Sequence, residues 1–154
     1  MNAITLLTEQ HRQVETLFEY VAESEGEEKQ ELFVELADLL AMHATIEERH
    51  FYPAVRDKQT DDLVVEALEE HLEVKRLLAD LLRVDVGDGS FDERLEEIKE
   101  QVQQHVKAEE GELFPMVRRL LDSDALETIG RDMAATMVEL ADTEPRNDIT
   151  AHLQ

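Results

Sequence analysis

Apolar residues recur every three to four positions along most of the chain, the spacing of helices with one buried face. From Ala3 to Glu23 the stripe reads Ile4, Leu7, His11, Val14, Phe18 and Val21, and Ser24, Glu25 and Gly26 then break it into a short turn. A second helix is expected from about Glu27 to Arg56, with Leu32, Leu36, Leu39, His43, Glu47, His50 and Ala54 facing inward. Pro53 removes a backbone donor near its end, which predicts a kink or a frayed last turn. The link at Lys58, Gln59 and Thr60 is short, so the third helix should run antiparallel to the second.

The third helix, roughly Asp61 to Val84, carries Val64, Leu68, His71, Val74, Leu78 and Leu81 on one side. Gly87, Asp88, Gly89 and Ser90 form the clearest loop, with Ser90 or Asp92 placed to cap a fourth helix from Phe91 to about Leu121. Its seam runs through Leu95, Ile98, Val102, His105, Glu109, Glu112 and Met116. A shorter fifth helix fits about residues 124–141, with Leu126, Ile129, Met133, Met137 and Leu140 inward and the two methionines read as core filler. No stretch alternates with period two for long enough to be a strand. The expected fold is all-α: an up-down-up-down antiparallel four-helix bundle within residues 1–143, its fifth helix lying across or extending one end, and residues 144–154 a mobile tail.

Some residues on these stripes are polar, and they repeat. His-Ala-Thr-Ile-Glu-Glu-Arg-His-Phe-Tyr-Pro, residues 43–53, returns as His-Val-Lys-Ala-Glu-Glu-Gly-Glu-Leu-Phe-Pro, residues 105–115. Upstream, Glu-Gln-His ending at His11 answers Glu-Glu-His ending at His71. At about 100° per residue, Glu47 lies about 40° from His43 and shares its face, whereas Glu48 lies about 140° away and points out. Glu109 and Glu110 stand in the same relation to His105.

Counting about 1.5 Å per residue from each turn places His11, His43, Glu47, His71, His105 and Glu109 at one height in the bundle. The bland alternative is that each buried imidazole finds a carboxylate or carbonyl and does nothing else. Six such groups buried without compensation would each cost about 1–3 kcal/mol or more, and metal ions would compensate all of them together. Nitrogen and oxygen donors without sulfur suit iron, manganese or zinc, and six are too many for one tetrahedral zinc. They suit two metals, each with two histidines, bridged by the two glutamates. A ferritin-like scheme would pair Glu47 with His50 and use Glu112, but it wants glutamates where His11 and His71 stand, and ranks behind.

The 154 residues include no cysteine, which excludes disulfides and thiolate sites, and the formal net charge is −23 with a pI of about 4.4. An acidic surface repels nucleic acid and anionic lipid, so neither is an expected partner. The N-terminus lacks a basic region followed by a long apolar run, and a soluble cytoplasmic protein is expected.

Over about residues 4–120 these motifs resemble the hemerythrin-like HHE cation-binding family. The lone histidine before each His-x-x-x-Glu, the Glu-Glu doublets and the endings Tyr52-Pro53 and Phe114-Pro115 carry the resemblance. It implies a non-haem centre of two iron ions with an oxo or hydroxo bridge. His11, His43, His71 and His105 would be terminal ligands and Glu47 and Glu109 bridges, with manganese or zinc as alternative metals. Two departures from the oxygen-carrying members stand out. Lys75 occupies the place of a second histidine in the third helix, and His105 is followed by Glu109 instead of a more distant aspartate. His50 is left open between ligation, hydrogen bonding to a ligand and packing, and His152 is assigned no role.

The expected function is binding of dioxygen or a related small diatomic or peroxide ligand, in oxygen, redox or iron sensing or handling. An enzyme consuming peroxide or nitric oxide at the same centre is the first alternative. A metal-free acidic bundle serving as an interaction module is the second.

Overall fold

The computed structural model describes residues 1–152, with side chains as far as Ile149. Among the described residues there is no strand, and no helix is long and apolar enough to cross a membrane. The order is α1 (Ala3–Glu23), α2 (Gly26–Ile46), a first π-helical segment (Glu47–Phe51), α3 (Tyr52–Val55), α4 (Asp61–Leu81), α5 (Phe91–Ala108), a second π-helical segment (Glu109–Leu113), α6 (Phe114–Leu120), α7 (Ser123–Ala141) and α8 (Arg146–His152). Asn2 caps α1 by accepting the Thr5 N–H at 2.9 Å, and Asp122 caps α7 by accepting the Ala125 N–H at 2.8 Å. Gly26, at φ +63°, reverses the chain between α1 and α2 in a conformation that side chains resist. Ser90 stands at the α5 N-cap without a side-chain cap bond, so neither expected cap forms there.

The long second and fourth helices each contain a wide turn that the regular 100° count misses. The Tyr52 N–H reaches back to the Glu47 carbonyl and the Phe114 N–H to the Glu109 carbonyl, five residues instead of four. Both turns end just before a proline, whose ring and missing N–H disfavour the regular ladder. The surplus residue moves the buried face one position downstream. Phe51, Tyr52 and Val55 are buried where His50 and Ala54 were expected, and Leu113, Phe114 and Val117 where Glu112 and Met116 were expected. Glu112 and Ala54 are exposed.

Two apolar clusters fill the bundle, one on each side of a polar layer. The first gathers Val14, Phe18, Phe33, Leu36, Leu78 and Ile98, and the second Ile4, Leu7, Phe51, Val64, Phe114 and Val117. Helix α7 lies lengthwise against α1 instead of across one end. Gly130 faces the backbone of Met1 to Ala3 so closely that a Cβ would come 2.2 Å from the Met1 carbonyl oxygen, and the Gln10 amide meets the Met137 sulfur at 3.6 Å. The segment expected to be a mobile tail forms α8 instead. Arg146 binds both Asp38 oxygens at 3.0 and 2.9 Å, and Ile149 is buried against the first cluster. The periodic count missed it because one turn of helix with one inward apolar residue has no period to read. Residues 153–154 and the side chain of His152 lie outside the described residues.

Candidate metal centre

The polar layer contains the six residues picked out by the repeat. His11 comes from α1, His43 from α2, His71 from α4 and His105 from α5, and Glu47 and Glu109 open the two π-helical segments. All six are buried, Glu47 completely. The imidazoles form two pairs, His11 with His43 at 4.9 Å between ring centroids and His71 with His105 at 4.7 Å. Each carboxylate reaches both pairs. Glu47 Oε1 lies 3.0 Å from His43 Nε2 and 3.0 Å from His71 Nε2, and Glu109 lies 3.2 Å from His11 Nε2 and 3.3 Å from His105 Nε2.

Every Nε2 points inward because every Nδ1 is held outward. His11 Nδ1 donates to Glu110 at 2.6 Å, His43 Nδ1 to the Gln10 carbonyl oxygen at 2.6 Å, His71 Nδ1 to Glu48 at 2.8 Å and His105 Nδ1 to Glu70 at 2.8 Å. Such outer acceptors fix the tautomer and aim of an imidazole that must present the other nitrogen to a metal. Glu48 and Glu110 do point away from the centre, as the helical count required, and there each holds a ring from another helix. Lys75 donates to both Glu48 oxygens at 3.0 and 2.9 Å, and Arg12 pairs with Glu110.

Burial should pull the His71 pKa down, but Glu47 and Glu48 outweigh it and leave the ring above its ordinary value. Burial also opposes the charge on His11 and His105; the surrounding carboxylates win at both, and His105 ends well above the ordinary range. Burial would raise Glu47, yet His43, His105 and His71 hold its carboxyl well below the ordinary range. Without metal the layer is therefore a set of ionised carboxylates with the protons on the imidazoles.

Hydrogen bonding leaves this layer incomplete. His11 Nε2, His43 Nε2, Glu47 Oε2 and Glu109 Oε1 are buried without a hydrogen-bond partner, and His71 Nε2 faces His105 Nε2 at 3.1 Å. Unpartnered buried atoms of this kind are costly, and four converging on one point fit metal ions. Donor atoms of Glu47, His71, His105 and Glu109 lie within 4.8 Å of one another, as do those of His11, His43 and Glu109. The donor set of imidazoles and carboxylates is one that iron, manganese and zinc accept.

Tyr52, which the sequence reading did not select, joins the layer. Its hydroxyl donates to Glu109 Oε2 at 2.5 Å and lies 3.2 Å from His71 Nε2. Burial, together with the charges on Glu47 and Glu109, raises its pKa well above the ordinary phenol value. The phenol is carried inward by the same wide turn that carries His50 out of the layer; His50 Nε2 instead lies 2.6 Å from the Thr136 hydroxyl on α7. Gln10 and Glu70, each directly before a lone histidine, were also missed as orienting groups. The signals were present in the repeated Glu-Gln-His and Glu-Glu-His triplets and in the Tyr-Pro ending.

Against the imidazoles, on the side away from Tyr52, lies a cavity of about 40 Å³. All four rings line it, together with Val14, Leu40, Val74, Val102 and Ile149.

Residues 2–117 match the model of the hemerythrin HHE cation binding domain. The chain is similar to a DNA nickase of Nostoc sp., at 31% identity over 128 residues, which are 82% of this chain but only 36% of that protein. An uncharacterised protein of Mycobacterium tuberculosis is 29% identical over 143 residues, 91% of this chain and 88% of its own length. The crystal structure of a hemerythrin HHE cation binding domain-containing protein from Mycobacterium kansasii superposes with a TM-score of 0.82 at 28% identity. That match covers 96% of this chain and 89% of the other.

Proposed function

The chain belongs to the hemerythrin HHE cation-binding domain family, and from that premise we propose that it holds two iron ions and binds dioxygen or a related small oxidant, in oxygen, redox or iron sensing or handling. The observation that carries this reading is the convergence of four inward Nε2 atoms on two carboxylates that each reach both histidine pairs. His11 and His43 would hold one ion, His71 and His105 the other, and Glu47 and Glu109 would bridge them. Two bound irons would supply redox electrons and open coordination for a small ligand.

The protein's own part is to aim the imidazoles through Gln10, Glu48, Glu70 and Glu110, to hold Glu109 through the Tyr52 hydroxyl, and to exclude bulk water. The apolar cavity beside the rings gives a small ligand space. Nothing in this arrangement positions a larger substrate, and the acidic charge of the chain gives no support for carrying over DNA nicking from a relative of which it spans about a third.

Anaerobic loading with ferrous iron followed by exposure to air tests the reading. About two irons per chain and a new visible absorption band are expected; a preparation that refuses iron under reducing conditions overturns it. His71→Leu separates this reading from that of a metal-free interaction bundle. With a metal role the variant loses metal and the stability that metal confers, whereas in a bundle without one an apolar replacement stabilises the fold. Consumption of peroxide or nitric oxide by the iron-loaded protein, abolished in Glu47→Ala with the fold retained, would identify the enzymatic alternative.

A further inference from the structure

Two hollows meet beside the imidazoles. The inner one is the apolar cavity of about 40 Å³, and the outer one is a polar recess of about 130 Å³ between α2, the first π-helical segment, α4 and α8. Ala41, Thr45, Glu48 and Asp148 contribute to the recess alone, and Lys75 and Ile149 line both spaces. The two spaces share no other residue, so these side chains form the partition between them. Side-chain exposures of 30% for Glu48 and 20% for Lys75 show that water reaches the outer side. Ile149, at 4%, closes the inner side.

Two other hollows touch the imidazoles from outside, one at His105 and Glu109 and one at His11. Each is about 10 Å³, at or below the space that one water molecule needs. The recess is thus the widest approach to the layer among the described residues. Resting on the metal-centre reading above, we propose that small ligands enter through this recess and that Ile149, backed by Lys75, is the residue that limits their size.

Both sides of the partition are anchored. Lys75 is held by its two bonds to Glu48, and α8 is pinned to α2 by Arg146 on Asp38, with the Arg146 N–H adding a bond to Asp38 Oδ1 at 3.1 Å. Ile149 itself has only apolar contacts to give up when it swings aside. The recess lets a ligand approach while still hydrated. The inner cavity, little larger than one water's share of liquid volume, then admits molecules of two or three atoms stripped of their water.

The test is stopped-flow binding of azide to the iron-loaded protein, followed by absorption, in wild type, Ile149→Ala, Ile149→Trp and Lys75→Met, with iron content measured in each. With iron content unchanged, Ile149→Ala and Lys75→Met should speed azide association and Ile149→Trp slow it, each by about tenfold, as expected for residues that gate a buried site. Rates that stay within twofold of wild type in variants that keep their iron would overturn the entrance and leave the di-iron reading standing. A wild-type protein that takes up no iron would remove both. The rate of iron removal by a small chelator gives a second readout in the same proteins and should follow the same order.

Discussion

The two histidine pairs are built from the same repeat, yet their surroundings differ at two matched places. His43 donates to the amide of Gln10, and its counterpart His105 donates to the carboxylate of Glu70. His11 stacks on Phe114 at 6.1 Å and 5°, and its counterpart His71 lies against Tyr52, whose hydroxyl reaches into the layer. The repeat thus fixes the six donors as near-equals while the residues around them make the His71–His105 side the more anionic and the better supplied with hydrogen bonds. Two ions bound there would sit in unlike sites.

The largest effect on this contrast should come from pH. His11, His71 and His105 hold their protons to higher pH than free imidazole, so metal must displace those protons. Affinity should climb by about tenfold per pH unit for each displaced proton and level off once the pH passes the raised values. The climb should be steeper for the His71–His105 ion, and calorimetric metal titrations at several pH values would show it. In the metal-free protein the raised imidazoles contribute stability that is whole below their unfolded-state pKa and is lost as pH rises through the folded-state values. Glu47, depressed, contributes stability that is present above the ordinary carboxylate range and lost as pH falls through its folded-state value. Melting curves across that range should bear both signs.

A smaller effect is expected from exchanging the outer partners. Glu70→Gln gives His105 the neutral acceptor that His43 already has, and should weaken metal binding on that side by about 10- to 100-fold. Gln10→Glu should strengthen the other side and bring the two steps of a metal titration together. Unaltered steps in both variants would mean that the outer acceptors do not set the contrast. The smallest effect should come from Tyr52→Phe, which copies Phe114 into the first half. It leaves Glu109 Oε2 without its donor and should cost the metal-free fold about 1–2 kcal/mol in urea unfolding.

The donors could be read from the chain because a histidine on an apolar stripe is conspicuous, and the regular count holds from the start of each helix as far as Glu47 and Glu109. The count failed immediately after them. A hydrogen bond spanning five residues leaves no mark in a pattern of apolar positions, so His50 was placed inward and Tyr52 was passed over. The orienting groups were hidden for a different reason. Glu48, Glu70 and Glu110 are three acids in a chain with 38, and only the coordinates show which of them face a ring on another helix.

The pairing of a proline with an extra residue one turn earlier has a consequence for how this chain can vary. Removing any one residue between Glu48 and Phe51 would let the backbone close into an ordinary helix, yet it would swing Tyr52 and everything after it through about 100°. The aromatic ring would then leave Glu109, and an exposed side chain would be driven into the interior. Length in this short span is thus under stricter control than identity, and an altered spacing between the acid doublet and the proline would mark a chain whose two halves no longer fit together.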